Sequence, residues 1–309
     1  MLTRDDVLAA QERTRGLVRR TPSLPGTTGP DATLKCEFLQ HTGVFKVRGA
    51  LNRQLAARER GELDPRVGIT VASGGNAGLA HAYAAQVLGV PATVFVPETA
   101  PAVKVARIRA YGAEVRQVGT QYADAQLASV AYAESAGALL CHAYDQLEVA
   151  AGAGVIAEEL LADVPGIATI VVAVGGGGLF AGIAAAAKGR ARVVAVEPIT
   201  IPTLRAALEA GEPVDVDVSG IAADSLGARR VGGVAYEVAL RTQPVSVLVD
   251  DDAIVDARQR LWADYRIAAE YGAAAAYAAL TSGAYRPSAD ERVAVVVCGA
   301  NTDPSTLAT

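Results

Sequence analysis

The chain is short of lysine: only Lys35, Lys46, Lys104 and Lys188 occur among its 28 basic residues. Any chemistry that needs a primary side-chain amine therefore falls to one of four positions. No run of basic side chains occurs and the formal net charge is −5, which sets nucleic acid and other polyanions aside as partners. Cysteine is equally scarce. Cys36, Cys141 and Cys298 are far apart and odd in number, so neither a disulfide framework nor a Cys/His zinc site is expected. The N-terminus, Met1 to Asp6, has no apolar signal core, and a cytoplasmic protein is expected. One uncharged stretch, Gly166 to Ala187, is long enough to raise the question of a membrane span. Gly175 to Gly178 at its centre would break such a helix, and a buried strand, a loop and a small-residue helix explain it better.

What the chain does have is apolar material, 51% of 309 residues, ample for one large or two medium domains. Strand-like runs at Thr33–Leu39, Gly68–Ala72, Ala92–Val96, Glu114–Val118, Ile170–Val174, Arg192–Val196, Ser246–Val249 and Val293–Val297 alternate with helical patterns. The predicted helices are Arg48–Arg60, Gly78–Leu88, Pro101–Tyr111, Tyr122–Ala136, Ala150–Leu161, Phe180–Ala187, Asp251–Glu270 and Ala273–Ser282. Such alternation predicts an α/β protein with two mainly parallel sheets. Residues 47–145 read as a small domain, and residues 1–46 with 146–309 as a large one. Ligands in such folds sit beyond the carboxyl ends of strands, so the loops that follow strands carry the information.

Four of those loops stand out. In Thr42-Gly43-Val44-Phe45-Lys46-Val47-Arg48-Gly49-Ala50, Lys46 begins a helix. The partial positive charge there and nearby Arg48 favour the neutral amine, the form that makes a Schiff base. An ordinary solvated lysine is the competing reading. Lys35 falls inside a strand, and Lys104 and Lys188 fall on helices without a motif. The second loop, Ser73-Gly74-Gly75-Asn76-Ala77, follows a strand and opens a helix. Its backbone N–H groups suit a carboxylate and Asn76 suits a ring hydroxyl, unless Ser73 and Asn76 are simply local caps. The third, Gly175-Gly176-Gly177-Gly178, lets the backbone approach a phosphate at a helix start. Gly176 to Ala181 also fits a loose GxGxxA dinucleotide fingerprint with Glu197 as the ribose-binding acid. A nicotinamide oxidoreductase is thus a rival. In the fourth, Cys298 is either a core residue or a neutral partner for a ring nitrogen. His41, His81 and His142 have no triad or metal spacing and read as structural.

Together these loops resemble the fold-type II pyridoxal-phosphate enzymes, and among them the serine/threonine dehydratases. The resemblance spans almost the whole chain. It is carried by the segment around Lys46, by Ser73 to Gly78, by Gly175 to Gly178, by Gly220 to Gly227, by Glu270-Tyr271-Gly272-Ala273-Ala274 and by Val297-Cys298-Gly299, in that order. It implies a tryptophan synthase β-like fold with pyridoxal 5'-phosphate between two domains, and a homodimer. Lys46 would hold the cofactor as a Schiff base and take the α-proton, and the cofactor phosphate would protonate the departing hydroxyl. Phe45, Asn76, Gly175, Gly176, Gly177, Gly178 and Cys298 would bind the cofactor. Ser73, Gly74, Gly75, Asn76 and Ala77 would bind the substrate carboxylate. The implied reaction is dehydration and deamination of L-serine or L-threonine to a 2-oxo acid and ammonia. Threonine synthase, or a lyase acting on another β-substituted amino acid, is the nearest alternative. Val44 departs from the serine usual before Phe-Lys. Gly74 stands where the related serine racemases carry a proton-donating serine, which argues against racemisation. A metal motif in those relatives starts at the position of Glu197, and its later acid is Thr203 here, so no metal is expected.

Overall fold

The computed structural model of the chain describes residues 1–26 and 32–307. In chain order the elements are α1 (Arg4–Arg13), β1 (Ser23–Leu24), β2 (Ala32–Cys36), α2 (Lys46–Glu59), β3 (Ile69–Ala72), α3 (Asn76–Leu88), β4 (Ala92–Val96), α4 (Ala102–Arg109), β5 (Glu114–Gln117), α5 (Tyr122–Ala136) and β6 (Leu139–Cys141). There follow α6 (Leu147–Asp163), β7 (Thr169–Ala173), α7 (Gly178–Ala187), β8 (Arg192–Pro198), α8 (Thr203–Ala210), α9 (Ala223–Leu226), α10 (Gly233–Thr242), β9 (Val245–Val249), α11 (Asp251–Tyr265), α12 (Tyr271–Thr281) and β10 (Val293–Val297).

The strands form two sheets. A six-stranded sheet runs β1-β2-β10-β7-β8-β9 and a four-stranded one β5-β4-β3-β6. Every pairing is parallel except β1 with β2. The central strands β3, β4, β7 and β10 are buried along their whole length, as parallel strands covered on both faces must be. The stretch from 166 to 187 is β7, the glycine loop and α7. Among the described residues no helix is long and apolar enough to cross a membrane.

Helix α6 ties the site together because small residues let its neighbours approach backbone to backbone. A Cβ added at Gly152 would lie 2.4 Å from the carbonyl oxygen of Arg48 in α2. One added at Gly182 of α7 would lie 2.0 Å from that of Ala150 in α6. The helix that begins at Lys46 and the helix that begins at the glycine loop are therefore packed on one common element, with no side chain between.

Of the differences from the sequence expectations, three concern residues named above. The strand expected over Thr33–Leu39 stops at Cys36, and Glu37–Leu39 form a 3-10 turn that sends Glu37 inward. The helix expected over Asp251–Glu270 ends at Tyr265, because Arg266 takes the left-handed conformation (φ 57°). Lys188 lies just past the end of α7, at its cap.

Candidate active site

The main cavity, about 860 Å³, lies between the two sheets at the carboxyl ends of their strands. Its lining includes Phe45, Lys46, Ser73 to Ala77, Gly175 to Gly178, Glu270 and Cys298. Every candidate site residue picked from the sequence is thus on one wall or another of the same hollow.

Lys46 is the first residue of α2, and the preceding loop presents it to the cavity. Phe45 N–H donates to the carbonyl of Cys298 (3.1 Å), and Ala300 N–H to that of Gly43 (3.0 Å). A bridge between Val44 and Gly299 completes the splice. The turn into this segment needs Thr42 and Gly43 at positive φ, 62° and 76°. Lys46 is thereby fixed beside Cys298. The Nζ atom lies 5.0 Å from the centre of the Phe45 ring and donates to the carbonyl of Ala143 at 3.2 Å. Burial lowers the pKa of Lys46 from the usual lysine value, opposed by the nearby Cys298 and Glu270. Arg48, expected to bias Lys46 toward neutrality, points elsewhere. Its guanidinium is buried between Glu37 and Glu159, with donor–acceptor distances of 2.8–2.9 Å.

The Ser73–Ala77 loop leads into α3, where Ser73 Oγ accepts from Gly75 N–H at 3.3 Å. The N–H groups in the first turn of a helix have no intrahelical acceptor, and Asn76 and Ala77 of this turn line the cavity. The Asn76 side chain is engaged by protein on both sides. Its amide nitrogen donates to Glu270 (2.9 and 3.1 Å to the two oxygens), and its oxygen accepts from Asn301 at 2.8 Å. Asn301 N–H also donates to Glu270, at 2.7 Å. Burial raises the pKa of Glu270 against these hydrogen bonds. Glu270, part of a motif in the sequence without an assigned role, and Asn301, to which the sequence gives none, together hold the Asn76 side chain.

Gly175 to Gly178 follow β7 and start α7. Gly177 has φ +90°, a conformation that favours glycine, and Cβ atoms at Gly176 and Gly178 would meet Tyr144 at 2.4 and 2.7 Å. The Tyr144 segment is itself braced: His142 Nδ1 accepts from the N–H groups of Tyr144 (3.2 Å) and Asp145 (2.9 Å). One loop therefore carries both the carbonyl that meets Lys46 and the ring that backs the glycines. His81 also borders the cavity, and burial pushes its pKa down to about 3, so it is a neutral wall residue. His41 stacks on Tyr83 (centroids 5.0 Å apart). Cys298 is buried, with its thiol pushed up to about 12, chiefly by desolvation.

A buried lysine amine with a lowered pKa, a glycine-lined helix start and a neutral thiol on one cavity fit a pyridoxal phosphate: they would supply a nucleophile for its aldehyde, an anion cradle and an uncharged ring partner. A family model described as pyridoxal-phosphate dependent enzyme matches residues 14–299. The chain belongs to this family. Its cofactor is pyridoxal 5'-phosphate, and its architecture is that of the fold-type II, tryptophan synthase β-like enzymes. The chain is 33% identical to an L-threonine ammonia-lyase of Thermotoga maritima, over 98% of this chain and 76% of that one. It is 34% identical to a phenylserine dehydratase of Ralstonia pickettii, over 98% and 94% of the two chains. The structure of maize serine racemase superposes with a TM-score of 0.92 at 31% identity, covering 99% of this chain and 95% of that one.

The nicotinamide alternative fails on the same geometry. In this pyridoxal-phosphate enzyme Glu197 is fully buried, and its oxygens accept from Leu204 N–H (2.7 Å) and Arg205 N–H (2.9 Å). Its carboxyl, pushed up to about 7 mainly by burial, faces the start of α8 and not a ribose.

Proposed function

We propose that this enzyme removes ammonia from a β-hydroxy-α-amino acid, L-serine or L-threonine, by β-elimination, with Lys46 as carrier of the cofactor and as base. The observation that carries this reading is the Lys46 amine, held toward its neutral form by burial and placed between the Ser73–Ala77 loop and Cys298. The cofactor supplies the electron sink that makes the α-proton removable. The residues do the rest. The first-turn N–H groups of α3 hold the substrate carboxylate, and the Gly175–Gly178 loop holds the cofactor phosphate. Lys46 would take the α-proton on its side-chain amine. Phe45 walls the lysine, and Cys298 offers the ring nitrogen a weak, uncharged partner, which suits loss of a β leaving group. Overall the α-proton and the β-hydroxyl depart as one water, and hydrolysis of the released aminoacrylate consumes one water and gives the 2-oxo acid and ammonia. Gly74 offers no proton donor to the second substrate face, which disfavours racemisation.

A second reading concerns the size of the β-substituent. Tyr122 (48% exposed) and Leu127 (71% exposed) line the same cavity. Solvent-facing apolar side chains at a pocket mouth favour a β-aryl or long β-alkyl group. The proposal also takes residues 47–145 as one domain, the remainder as the other, and a cytoplasmic homodimer as the working form.

The test is 2-oxo acid release from L-serine, L-threonine, D-serine and threo-phenylserine with added pyridoxal phosphate, run beside Lys46→Ala. Product from an L-substrate that disappears in Lys46→Ala supports the proposal, and the substrate ranking decides the second reading. Unchanged turnover in Lys46→Ala, or release from D-serine alone, would sink it.

A further inference from the structure

The relatives' metal motif, as the sequence resemblance has it, begins at Glu197, and the residues here do not fit a cation. Both carboxylate oxygens already receive N–H groups from the start of α8. No group of three or more His, Cys, Asp or Glu suited to a metal occurs among the described residues. Thr203 lies beside the Glu197 carboxylate. Its hydroxyl oxygen is 3.2 Å from Glu197 Oε1 and only 2.6 Å from the carbonyl oxygen of Gly175. A hydroxyl has one proton to donate, and the shorter contact shows that Gly175 receives it. Thr203 and Glu197 are both fully buried.

Gly175 is the first residue of the glycine loop, and this contact reaches it from the side away from the cavity: Gly175 and Gly176 line the cavity, whereas Thr203 does not. The peptide unit is planar and trans, so its carbonyl and the following N–H point in opposite directions. Pinning the Gly175 carbonyl on Thr203 turns Gly176 N–H the other way, toward the cavity. The next unit is pinned likewise, since the Gly176 carbonyl accepts from Gly232 N–H at 3.0 Å. Glu197 in turn fixes α8 by capping its first N–H groups, which places Thr203.

We propose that Thr203 is a positioning residue for the cofactor phosphate: through Gly175 it aims the anion-binding N–H of the glycine loop, and with Glu197 it does so without a metal ion. This rests on the reading that the phosphate lies in that loop. The experiment compares two probes on the full-length apoprotein, pyridoxal 5'-phosphate and pyridoxal, which differ only in the phosphate. Affinities are read from the lysine-bound absorption band. Wild type binds the phosphorylated form more tightly. Thr203→Val, similar in shape but without a donor, loses about tenfold in affinity for pyridoxal phosphate, the equivalent of one net hydrogen bond, and keeps its affinity for pyridoxal. Thr203→Ser, which restores the hydroxyl, stays within about twofold of wild type. Magnesium, calcium or a chelator changes none of these values. If the valine variant does not fold, Thr203→Ala carries the same comparison. Equal losses for both probes, no loss for either, or a metal-dependent affinity would overturn the proposal. A wild type indifferent to the phosphate would overturn the underlying placement of the cofactor as well.

Discussion

Replacing Arg48 by methionine tests how the helix that carries Lys46 is anchored. Arg48 donates from Nε and Nη2 to Glu37 (2.8 and 2.9 Å) and from Nη1 and Nη2 to Glu159 (2.8 Å each). A further bond runs to the carbonyl of Arg19 (3.1 Å). Lys35 completes the cluster on Glu159 at 2.8 Å. Arg48, Glu37 and Lys35 are fully buried and Glu159 is 4% exposed, so two cations balance two carboxylates out of water. Methionine keeps much of the aliphatic volume but leaves two buried carboxylates to one lysine. Breaking a buried pair from one side costs about 3–5 kcal/mol, most of it the uncompensated charge. Arg48→Met should lose that much in urea denaturation with an unchanged m-value. Because buried pairs are weakly screened, the loss should persist in high salt. Arg48→Lys keeps the charge but not the planar fork and should fall between. Removing Glu37 together with Arg48 should cost less than the sum of the single changes. A loss below about 1 kcal/mol for Arg48→Met, or strict additivity with Glu37, would refute this account of the cluster.

Four further outcomes follow from the site. The lowered pKa of Lys46 means the unfolded chain binds more protons between that value and the ordinary lysine value of 10.5. Apoprotein stability should therefore rise with pH across that window. Capture of pyridoxal phosphate, followed by stopped-flow absorbance, should inflect below 10.5, and an inflection at the ordinary value would contradict the burial argument. Cys298→Asp puts a carboxylate where the neutral thiol stands. It should lower the ratio of 2-oxo acid release to side reactions several-fold, and unchanged partitioning would remove the ring-nitrogen role. The nearest atoms to a Cβ at Gly74 would be those of Val96 and Ala100, at 3.6–3.8 Å, so Gly74→Ser should fold normally. It should gain measurable conversion of L-serine to D-serine by chiral chromatography; none at all would show that this face needs more than a hydroxyl.

The candidate site was legible in the sequence where its signals are local. Ser73–Ala77 and Gly175–Gly178 are glycine-rich joints between a strand and a helix, and the physics that marks them acts within a few residues. The buried strands Ala92–Val96 and Val293–Val297 were legible as unbroken apolar runs, and the structure has them at those limits. Other elements carried too little signal. Strands β1 and β6 have two and three residues. Helix α1 buries only Val7 and Ala10, too few for an apolar stripe. The end of α11 was misplaced because Arg266 adopts a positive φ usually left to glycine or asparagine. Arg258 of α11 donates to the carbonyl of Ala269 across that turn (2.8 Å). Glu270 and Asn301 went unassigned because their roles arise only on meeting Asn76, 194 and 225 positions away in the chain. Arg48 was misread for the same reason: Lys46 is two residues off, but the carboxylates it serves lie on β2's exit turn and on α6.

The central claim is that Lys46 is the residue that holds the cofactor. Borohydride reduction of the protein loaded with pyridoxal phosphate, followed by peptide mass mapping, tests it directly. The account predicts a single reduced pyridoxyl adduct on the peptide containing Lys46, and none in Lys46→Ala. An adduct on Lys35, Lys104 or Lys188 in place of Lys46, or labelling that persists in Lys46→Ala, would contradict it.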